Sequence, residues 1–159
     1  MNEKKNPKSN IPIVILGTGG ISQKVYFPLL TNWENVKING VFSRKQEHVA
    51  KICDRWNLSV GTTDLPTLLA REAAAAFVLT SKESHYELIL QLLDKGFDVF
   101  TEKPLAQTSQ QAFELAKFAQ ERQRILMVGF NRRFALLYRQ AKEKLGSTSI
   151  QLLVIQKHR

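Results

Sequence analysis

The stretch Ile11-Pro-Ile-Val-Ile-Leu-Gly-Thr-Gly-Gly-Ile-Ser22 decides the fold that we expect for this chain. It opens with a short apolar run rich in β-branched residues, which favours a buried strand. Glycines at positions 17, 19 and 20 follow at once, and an amphipathic segment, Ile21–Leu30, comes after them. Strand, glycine turn and helix together present unpaired backbone amides and the positive end of a helix, an arrangement that binds phosphate. The stretch therefore predicts a dinucleotide site.

The small residues of this turn have distinct expected roles. Gly17 permits the tight turn, and Gly19 lets a pyrophosphate approach the backbone without meeting a Cβ atom. Ser22 stands where the fingerprint has its third glycine, and it is small enough for helix and strand to pack closely. A P-loop is excluded because no Gly-Lys-Ser/Thr follows the glycines.

Length and composition describe an ordinary globular chain. Its 159 residues make one domain, with room for the start of a second. The single cysteine, Cys53, excludes an internal disulfide framework and fits a reducing cytoplasm. Residues 1–10 are polar and lysine-rich, which predicts a disordered basic tail rather than a secretory signal. No apolar run is long enough to span a bilayer, so we expect a cytoplasmic protein without a membrane partner.

The net charge of +9 is concentrated at the end of the chain. Residues 121–159 hold 9 Lys/Arg and 2 Asp/Glu, whereas residues 1–120 hold 14 and 12. A basic segment of this kind more often faces solvent or an acidic neighbour than nucleic acid. No zinc-ligand spacing or heptad basic region accompanies it, so we expect neither a metal site nor a nucleic-acid partner.

Strand and helix patterns alternate along the chain with short connections, which is typical of a parallel sheet covered on both faces. Strands are predicted at Ile11–Leu16, Val36–Phe42, Ala74–Thr80, Asp98–Thr101 and Ile125–Gly129, with a short one near Leu58–Val60. Helices are predicted at Gly20–Thr31, Lys45–Trp56, Leu65–Arg71, Ser84–Lys95 and Ser109–Arg122, and Pro28 should kink or shorten the first. The pattern predicts an α/β fold with a doubly wound parallel sheet, a Rossmann domain, over residues 11–130.

The alternation changes after Gly129. Asn131–Leu145 is predicted as a further helix and Ile150–Gln156 as an apolar strand. An unpaired apolar strand is prone to aggregate, so this one needs a partner. We interpret residues 131–159 as a linker helix and the first strand of a second α/β domain that is missing from this chain. The alternative is that another copy of the chain covers the strand.

The end of the second predicted strand bears on cofactor choice. In NAD-binding Rossmann folds, an Asp or Glu near this point binds the ribose 2′-hydroxyl. Here the sequence is Val41-Phe-Ser43-Arg44-Lys45, without an acid. A hydroxyl and two cations suit a 2′-phosphate, so NADP is favoured and NAD remains possible. The alternative is that Arg44 and Lys45 only begin a solvated helix.

The tripeptide Glu102-Lys103-Pro104 closes another predicted strand, at the sheet edge where open α/β folds bind their ligands. A lysine there can act as acid or base when burial or a neighbouring positive charge lowers its pKa. An arbitrary Glu-Lys-Pro is more often a solvated turn, but here it accompanies the glycine turn. An S-adenosylmethionine site would leave this tripeptide unexplained.

These motifs together resemble the glucose-fructose oxidoreductase / inositol dehydrogenase (Gfo/Idh/MocA) family. The similar segments are Gly17-Thr-Gly-Gly-Ile-Ser22, the helix with His85, Gly96-Phe-Asp-Val-Phe-Thr-Glu102-Lys103-Pro104-Leu105-Ala106, and Val128-Gly-Phe-Asn-Arg-Arg-Phe134. The resemblance implies an NAD(P)-binding Rossmann domain followed by an α/β domain for substrate and oligomer contacts. It also implies hydride transfer between a nicotinamide and a carbon bearing a hydroxyl, on a sugar or polyol.

The resemblance assigns roles to individual residues. Lys103 matches the family lysine that bonds the reacting oxygen and assists proton transfer, and Glu102 with Asn131 and Arg132 match positions at the nicotinamide end. Ser81 departs from the proline of many members, and we favour a structural role over catalysis for His85. The cofactor-binding residues that all these patterns predict are Gly17, Thr18, Gly19, Gly20, Ile21, Ser43, Arg44, Thr80, Ser81, His85, Glu102, Lys103, Asn131 and Arg132.

Three functional hypotheses follow. The favoured one is the cofactor-binding half of an NADP-preferring oxidoreductase that forms homo-oligomers, catalytically incomplete at this length because the residues that position substrate are missing. The second is a non-catalytic nucleotide-binding or sensor module that dimerises through its C-terminal strand. The third, a nucleic-acid binder using the basic last quarter, requires an affinity that falls steeply with salt.

Overall fold

A single parallel sheet organises the computed structural model, which describes residues 10–146. Its strands are β1 Ile11–Leu16, β2 Val36–Phe42, β3 Gly61–Thr62, β4 Ala75–Val78, β5 Asp98–Thr101 and β6 Leu126–Val128. The order across the 6-stranded sheet is β3-β2-β1-β4-β5-β6, and every neighbouring pair is parallel. The predicted tail before Asn10 and the predicted strand Ile150–Gln156 lie outside the described residues.

Helices connect the strands. They are α1 Phe27–Thr31, α2 Gln46–Trp56, α3 Leu65–Leu69, α4 His85–Asp94, α5 Ser109–Glu121 and α6 Leu136–Leu145. A π-helical turn, Ser22–Tyr26, precedes α1, and short 3₁₀ turns at Lys82–Ser84 and Asn131–Phe134 precede α4 and α6. The helix predicted over Asn131–Leu145 is therefore interrupted, because Ala135 has an extended backbone with φ −66° and ψ 135°.

Alternate residues of β1 face opposite sides of the sheet, and helices cover both sides. Val14 and Leu16 join a core cluster with Leu68 of α3, Leu92 of α4 and other side chains of α4 and α5. Ile13 and Ile15 lie in a second cluster, which contains Phe27 and Leu30 of α1 and Ile52 of α2. Full burial of each such side chain stabilises the fold by about 1.5–3 kcal/mol. The doubly wound sheet expected from the sequence is confirmed.

The first helix accommodates Pro28 without ending there. Proline lacks an amide hydrogen and crowds the carbonyl four residues earlier, which explains the predicted kink or shortening. The backbone forms the π turn just before Pro28, where the Phe27 amide donates to the carbonyl of Ser22, and α1 continues to Thr31 with Pro28 in its first turn. The kink itself stays a prediction. Ser22, in the place of the third glycine, is fully buried.

The third strand lies slightly later than predicted. The sequence pattern indicated a strand near Leu58–Val60, whereas β3 consists of Gly61 and Thr62, which pair with Val41 and Phe42. A Cβ atom at Gly61 would come within 2.4 Å of Val49 and 2.5 Å of Cys53, both on α2. The strand therefore forms where the missing side chain lets α2 pack closely on the sheet.

The chain divides into two compact units, with the boundary between Gly129 and Phe130. The first contains the whole sheet and its covering helices, and the second contains the 3₁₀ turn Asn131–Phe134 and α6. The predicted division into a tail over 1–10, a domain over 11–130 and a linker segment over 131–159 stays a prediction.

Candidate functional site

The strand order creates a crevice at the carboxyl edge of the sheet. The chain passes from β1 to β2 on one side and later reaches β4 on the other side of β1. Connections that leave neighbouring strands in opposite directions open a space outside their carboxyl ends, and ligands of doubly wound folds bind there. The segments that follow β1, β2 and β4 lie at this edge.

Gly17 is required by both its conformation and its surroundings. Its φ is +106°, which L side chains rarely adopt, and a Cβ atom there would come within 2.6 Å of the Leu79 carbonyl group. Its amide donates to the carbonyl of Phe42 at 2.9 Å. The turn after β1 is thus held between the ends of β2 and β4.

Thr18 and Gly19 continue this loop toward the crevice. The Thr18 hydroxyl donates to the hydroxyl oxygen of Ser43 at 3.1 Å, and both residues are buried. The Thr18 carbonyl accepts a hydrogen bond from the Gln23 side chain at 2.8 Å. A Cβ atom at Gly19 would meet nothing within 4 Å, so this position opens to the space where a ligand can approach. Gly20 and the exposed Ile21 follow at the start of the helix.

A cleft of about 290 Å³ brings many of the predicted site residues together. Its lining includes the predicted residues Gly17, Thr18, Gly19, Ser43, Arg44, Thr80 and Ser81. Phe42, His48, Leu79, Ser84 and Leu88 also line it and were missed by sequence reasoning. The apolar members can cover a planar ring, and the loop amides and hydroxyls can bind phosphate and ribose oxygens.

A second cavity of about 480 Å³ adjoins the glycine loop, and we name it the basic groove. Its lining residues are Thr18, Gly19, Gln23, His48, Lys51, Ile52 and Arg55. The Arg55 guanidinium donates to the Gln23 side-chain oxygen at 3.4 Å, which links α2 to the first helix. The signal available in the sequence was the helical spacing of residues 48, 51 and 55, because such residues share one face of α2.

One carboxylate, that of Glu47, lies beside the basic groove. The Glu47 carboxylate is 3.8 Å from Lys45 Nζ and 3.6 Å from His48 Nε2. It belongs to the first turn of α2, whereas Ser43 directly follows the end of β2. No acid follows β2 directly, as the sequence indicated, and the side chains that this segment contributes to the cleft are those of Ser43 and Arg44.

The Glu102–Lys103 turn extends the end of β5. The Glu102 amide donates to the Val78 carbonyl at 3.2 Å, which continues the pairing with β4. The Glu102 carboxylate accepts hydrogen bonds from the Tyr26 hydroxyl and from the Lys103 amide, the latter at 3.2 Å. Burial, together with the Glu102 hydrogen bond, raises the pKa of Tyr26 well above its usual value. Lys103 itself is exposed, and its peptide bond to Pro104 is cis.

His85 lies behind the cleft rather than in its lining. Only 1% of its surface is exposed, and its Nδ1 and Nε2 atoms are 2.8 Å and 3.2 Å from the carbonyl oxygens of Pro104 and Thr80. The imidazole thus joins the turn after β4 to the turn after β5. This geometry favours the structural role, and a part for His85 in the cofactor site stays a prediction.

The remaining predicted site residues belong to the second unit. Asn131 and Arg132 lie in the 3₁₀ turn Asn131–Phe134, and both are exposed. Their part in a cofactor site stays a prediction.

Between residues 10 and 146, no helix combines the length and apolar character needed to cross a membrane. Within the same range, no group of three or more His, Cys, Asp or Glu side chains is arranged to hold a metal ion.

Comparison with known proteins places this geometry in a family. A family model described as an oxidoreductase family with an NAD-binding Rossmann fold, GFO_IDH_MocA, matches residues 11–130. The putative oxidoreductase YceM of Salmonella typhimurium is 40% identical over 147 residues, which is 92% of this chain and 47% of that protein. The chain thus spans about half the length of the curated relatives it matches.

Solved structures with the same fold contain either cofactor. The 3-ketoreductase KijD10 from Actinomadura kijaniata, in complex with NADP and TDP-benzene, is 26% identical with a TM-score of 0.80 and covers 87% of this chain and 42% of its own. GenD2 from gentamicin A biosynthesis, in complex with NAD, has the same identity and TM-score, and the match covers 91% of this chain and 41% of GenD2. The strand order and the glycine loop are consistent with the family match over residues 11–130. This chain therefore belongs to the GFO_IDH_MocA family of oxidoreductases and contains its NAD(P)-binding Rossmann domain.

Proposed function

We propose that this chain binds NADP in preference to NAD and serves an oxidoreductase that transfers a hydride to or from a sugar- or polyol-type hydroxyl. The observation that supports the cofactor choice most strongly is the end of β2, where the Ser43 hydroxyl bonds to the glycine loop and Arg44 lines the same cleft. An NAD-selective site needs an acid at this point to bind the ribose 2′-hydroxyl. A guanidinium instead suits a phosphate, because its planar donors match phosphate oxygens.

The glycine loop and the basic groove support this proposal. The amides of the Gly17–Gly19 loop and the first turn of the following helix are suited to a pyrophosphate. Lys51 and Arg55 of the basic groove add positive charge beside that loop, which favours an anion with one more phosphate. When bound, the nicotinamide supplies the hydride acceptor or donor.

Lys103 is the proposed acid–base residue. It lies at the carboxyl edge of the sheet, after β5, and no carboxylate among residues 10–146 lies within 4.0 Å of its ammonium nitrogen. Its proton is therefore available to the oxygen of an alcohol or carbonyl held beside it. Because Lys103 is exposed in the described part of the chain, we propose that surfaces beyond that part exclude water and position the substrate.

The proposal also covers the oligomeric state of the protein and its cellular compartment. The resemblance to the family favours a homo-oligomer, and the cysteine usage of the sequence favours the cytoplasm. Both stay proposals alongside the substrate class.

Calorimetric titration with NADPH and NADH tests the cofactor choice. We expect the wild type to prefer NADPH, and Arg44→Ala to weaken NADPH binding about tenfold, or about 1.4 kcal/mol, with little change for NADH. Arg71→Ala is the matched control, because Arg71 is an exposed arginine at the opposite edge of the sheet, where it bonds to the Asn39 carbonyl. A preference for NADH in both the wild type and Arg44→Ala would show that the interpretation of Ser43 and Arg44 is wrong.

A further inference from the structure

The Tyr26 hydroxyl reaches from the cofactor-loop side of the sheet to the lysine turn. Tyr26 is the last residue of the π turn that follows the glycine loop, and only 8% of its surface is exposed. Its ring packs against Phe77 of β4 and Phe100 of β5, with centroid distances of 6.2 Å and 5.5 Å. These contacts fix the ring beneath the carboxyl edge, so the hydroxyl has a defined direction.

The partner of that hydroxyl is the carboxylate next to Lys103. One Glu102 oxygen accepts the Tyr26 hydrogen bond, and the other accepts the Lys103 amide at 3.2 Å. Both carboxylate oxygens are therefore engaged by donors. The carboxylate is held against the backbone of its own turn, and it forms no ion pair with the Lys103 ammonium in the described part of the chain.

We propose that Tyr26 is a positioning residue that acts through Glu102, and that their hydrogen bond sets how much negative charge this turn presents to the nicotinamide ring. The inference rests on the proposed function, because it requires the ring to lie beside Glu102. Nothing in the sequence pattern of the turn assigns such a role to Tyr26.

Elementary electrostatics gives the direction of the effect. The oxidised nicotinamide ring is positively charged and the reduced ring is neutral, so a nearby carboxylate stabilises the oxidised form selectively. A hydroxyl that donates to the carboxylate draws off part of its charge and holds it in place. Since the raised pKa of Tyr26 keeps this phenol protonated, the hydroxyl remains a donor. Removing it should leave a more strongly negative and more mobile Glu102.

The test compares the affinities of the full chain for NADP⁺ and NADPH. For Tyr26→Phe we expect the ratio of the two dissociation constants to shift roughly threefold in favour of NADP⁺ relative to the wild type. Tyr86→Phe is the matched control, since the Tyr86 hydroxyl donates to the Glu114 carboxylate at 2.8 Å between α4 and α5. It loses a Tyr–Glu hydrogen bond of the same kind away from the cleft, so its ratio should stay at the wild-type value.

A double-mutant cycle separates this role from general packing. Glu102→Gln removes the negative charge and should shift the ratio toward NADPH. In the Glu102→Gln background, Tyr26→Phe should cause no further shift, because the charge through which Tyr26 acts is gone. A purely structural tyrosine would change both affinities equally, with or without Glu102.

The outcomes are distinguishable. If the wild type binds both cofactors and Tyr26→Phe leaves their ratio unchanged, the inference is overturned while the proposed function stands. The same holds if Tyr26→Phe shifts the ratio equally in the Glu102→Gln background. If the wild type binds neither cofactor, the proposed function falls and the inference with it.

Discussion

The two ends of the candidate site differ in what fixes them. At the glycine-loop end, the groups that face the cleft are themselves constrained, because the Leu79 carbonyl leaves no room for a Cβ atom at Gly17 and the Thr18 and Ser43 side chains are buried and bonded to each other. At the lysine end, the side chain that faces outward is exposed, and the constrained groups lie behind it. Tyr26 and His85 hold the turn by hydrogen bonds to Glu102 and to the Pro104 carbonyl.

This difference distinguishes the requirements of cofactor binding from those of proton transfer. A pyrophosphate needs a fixed set of donors, and the loop provides one within residues 10–146. A proton-transfer residue needs a held substrate and an environment that excludes water, and an exposed lysine has neither. We therefore expect substitutions to affect cofactor binding strongly at the glycine-loop end and weakly at the lysine end.

The largest effect is expected at Gly17. In Gly17→Ala, the new Cβ atom would meet the Leu79 backbone, and the positive φ adds strain, so we expect a loss of about 3 kcal/mol in the free energy of unfolding. NADPH binding should be lost as well, because the loop must shift. Urea unfolding and calorimetry measure the two quantities.

Gly19→Ala is the matched control for that substitution. Its Cβ atom would meet nothing within 4 Å, so the free energy of unfolding should change by less than about 0.5 kcal/mol. NADPH affinity should nevertheless fall by about tenfold, because the methyl group enters the ligand space. An unchanged affinity would mean that the phosphate does not approach this loop.

The next largest effect, a loss of stability, is expected when His85 is replaced. In His85→Ala, the ring contacts with the carbonyls of Thr80 and Pro104 are lost and a buried cavity remains, so the free energy of unfolding should fall by about 2–3 kcal/mol. His48→Ala, at an exposed position, should change stability by less than about 0.5 kcal/mol. Equal small changes in both variants, measured by urea unfolding, would contradict the structural role of His85.

The smallest effect is expected at Lys103. Lys103→Met removes an exposed ammonium that has no ion-pair partner in the described range, so stability should stay within about 0.5 kcal/mol of the wild type. NADPH affinity should change by less than about threefold, measured by calorimetry. A loss of NADPH affinity as large as that of Gly19→Ala would mean that Lys103 contributes strongly to cofactor binding. It would contradict the expected difference between the glycine-loop end and the lysine end.

The sequence predicted some strand limits better than others. The bounds of β1, β2 and β5 agree with their predicted ranges, whereas β4, predicted at Ala74–Thr80, spans only Ala75–Val78. β3 and β6 are edge strands of a few residues, and their limits depend on neighbours such as Gly61 against α2. The pattern of a strand alone does not contain that information.

In the candidate site, too, the residues that belong to local sequence motifs were predicted, and those that depend on packing between distant segments were not. The glycine loop, Ser43, Arg44 and Thr80 were predicted because backbone motifs and strand ends are visible in sequence. The Tyr26–Glu102 pair joins residues 76 positions apart and depends on a π turn, which no local pattern announces. The basic groove depends on how α2 faces the loop, so its α2 residues His48, Lys51 and Arg55 were missed although their helical spacing was present.

The most direct test of cofactor binding at the glycine loop is a ¹H–¹⁵N NMR titration of the chain with NADPH. We expect the largest shifts in the amides of residues 17–20, 43–44 and 79–81, with little change along α5. Shifts confined to other surfaces, or no shifts at a saturating concentration of NADPH, would contradict this expectation.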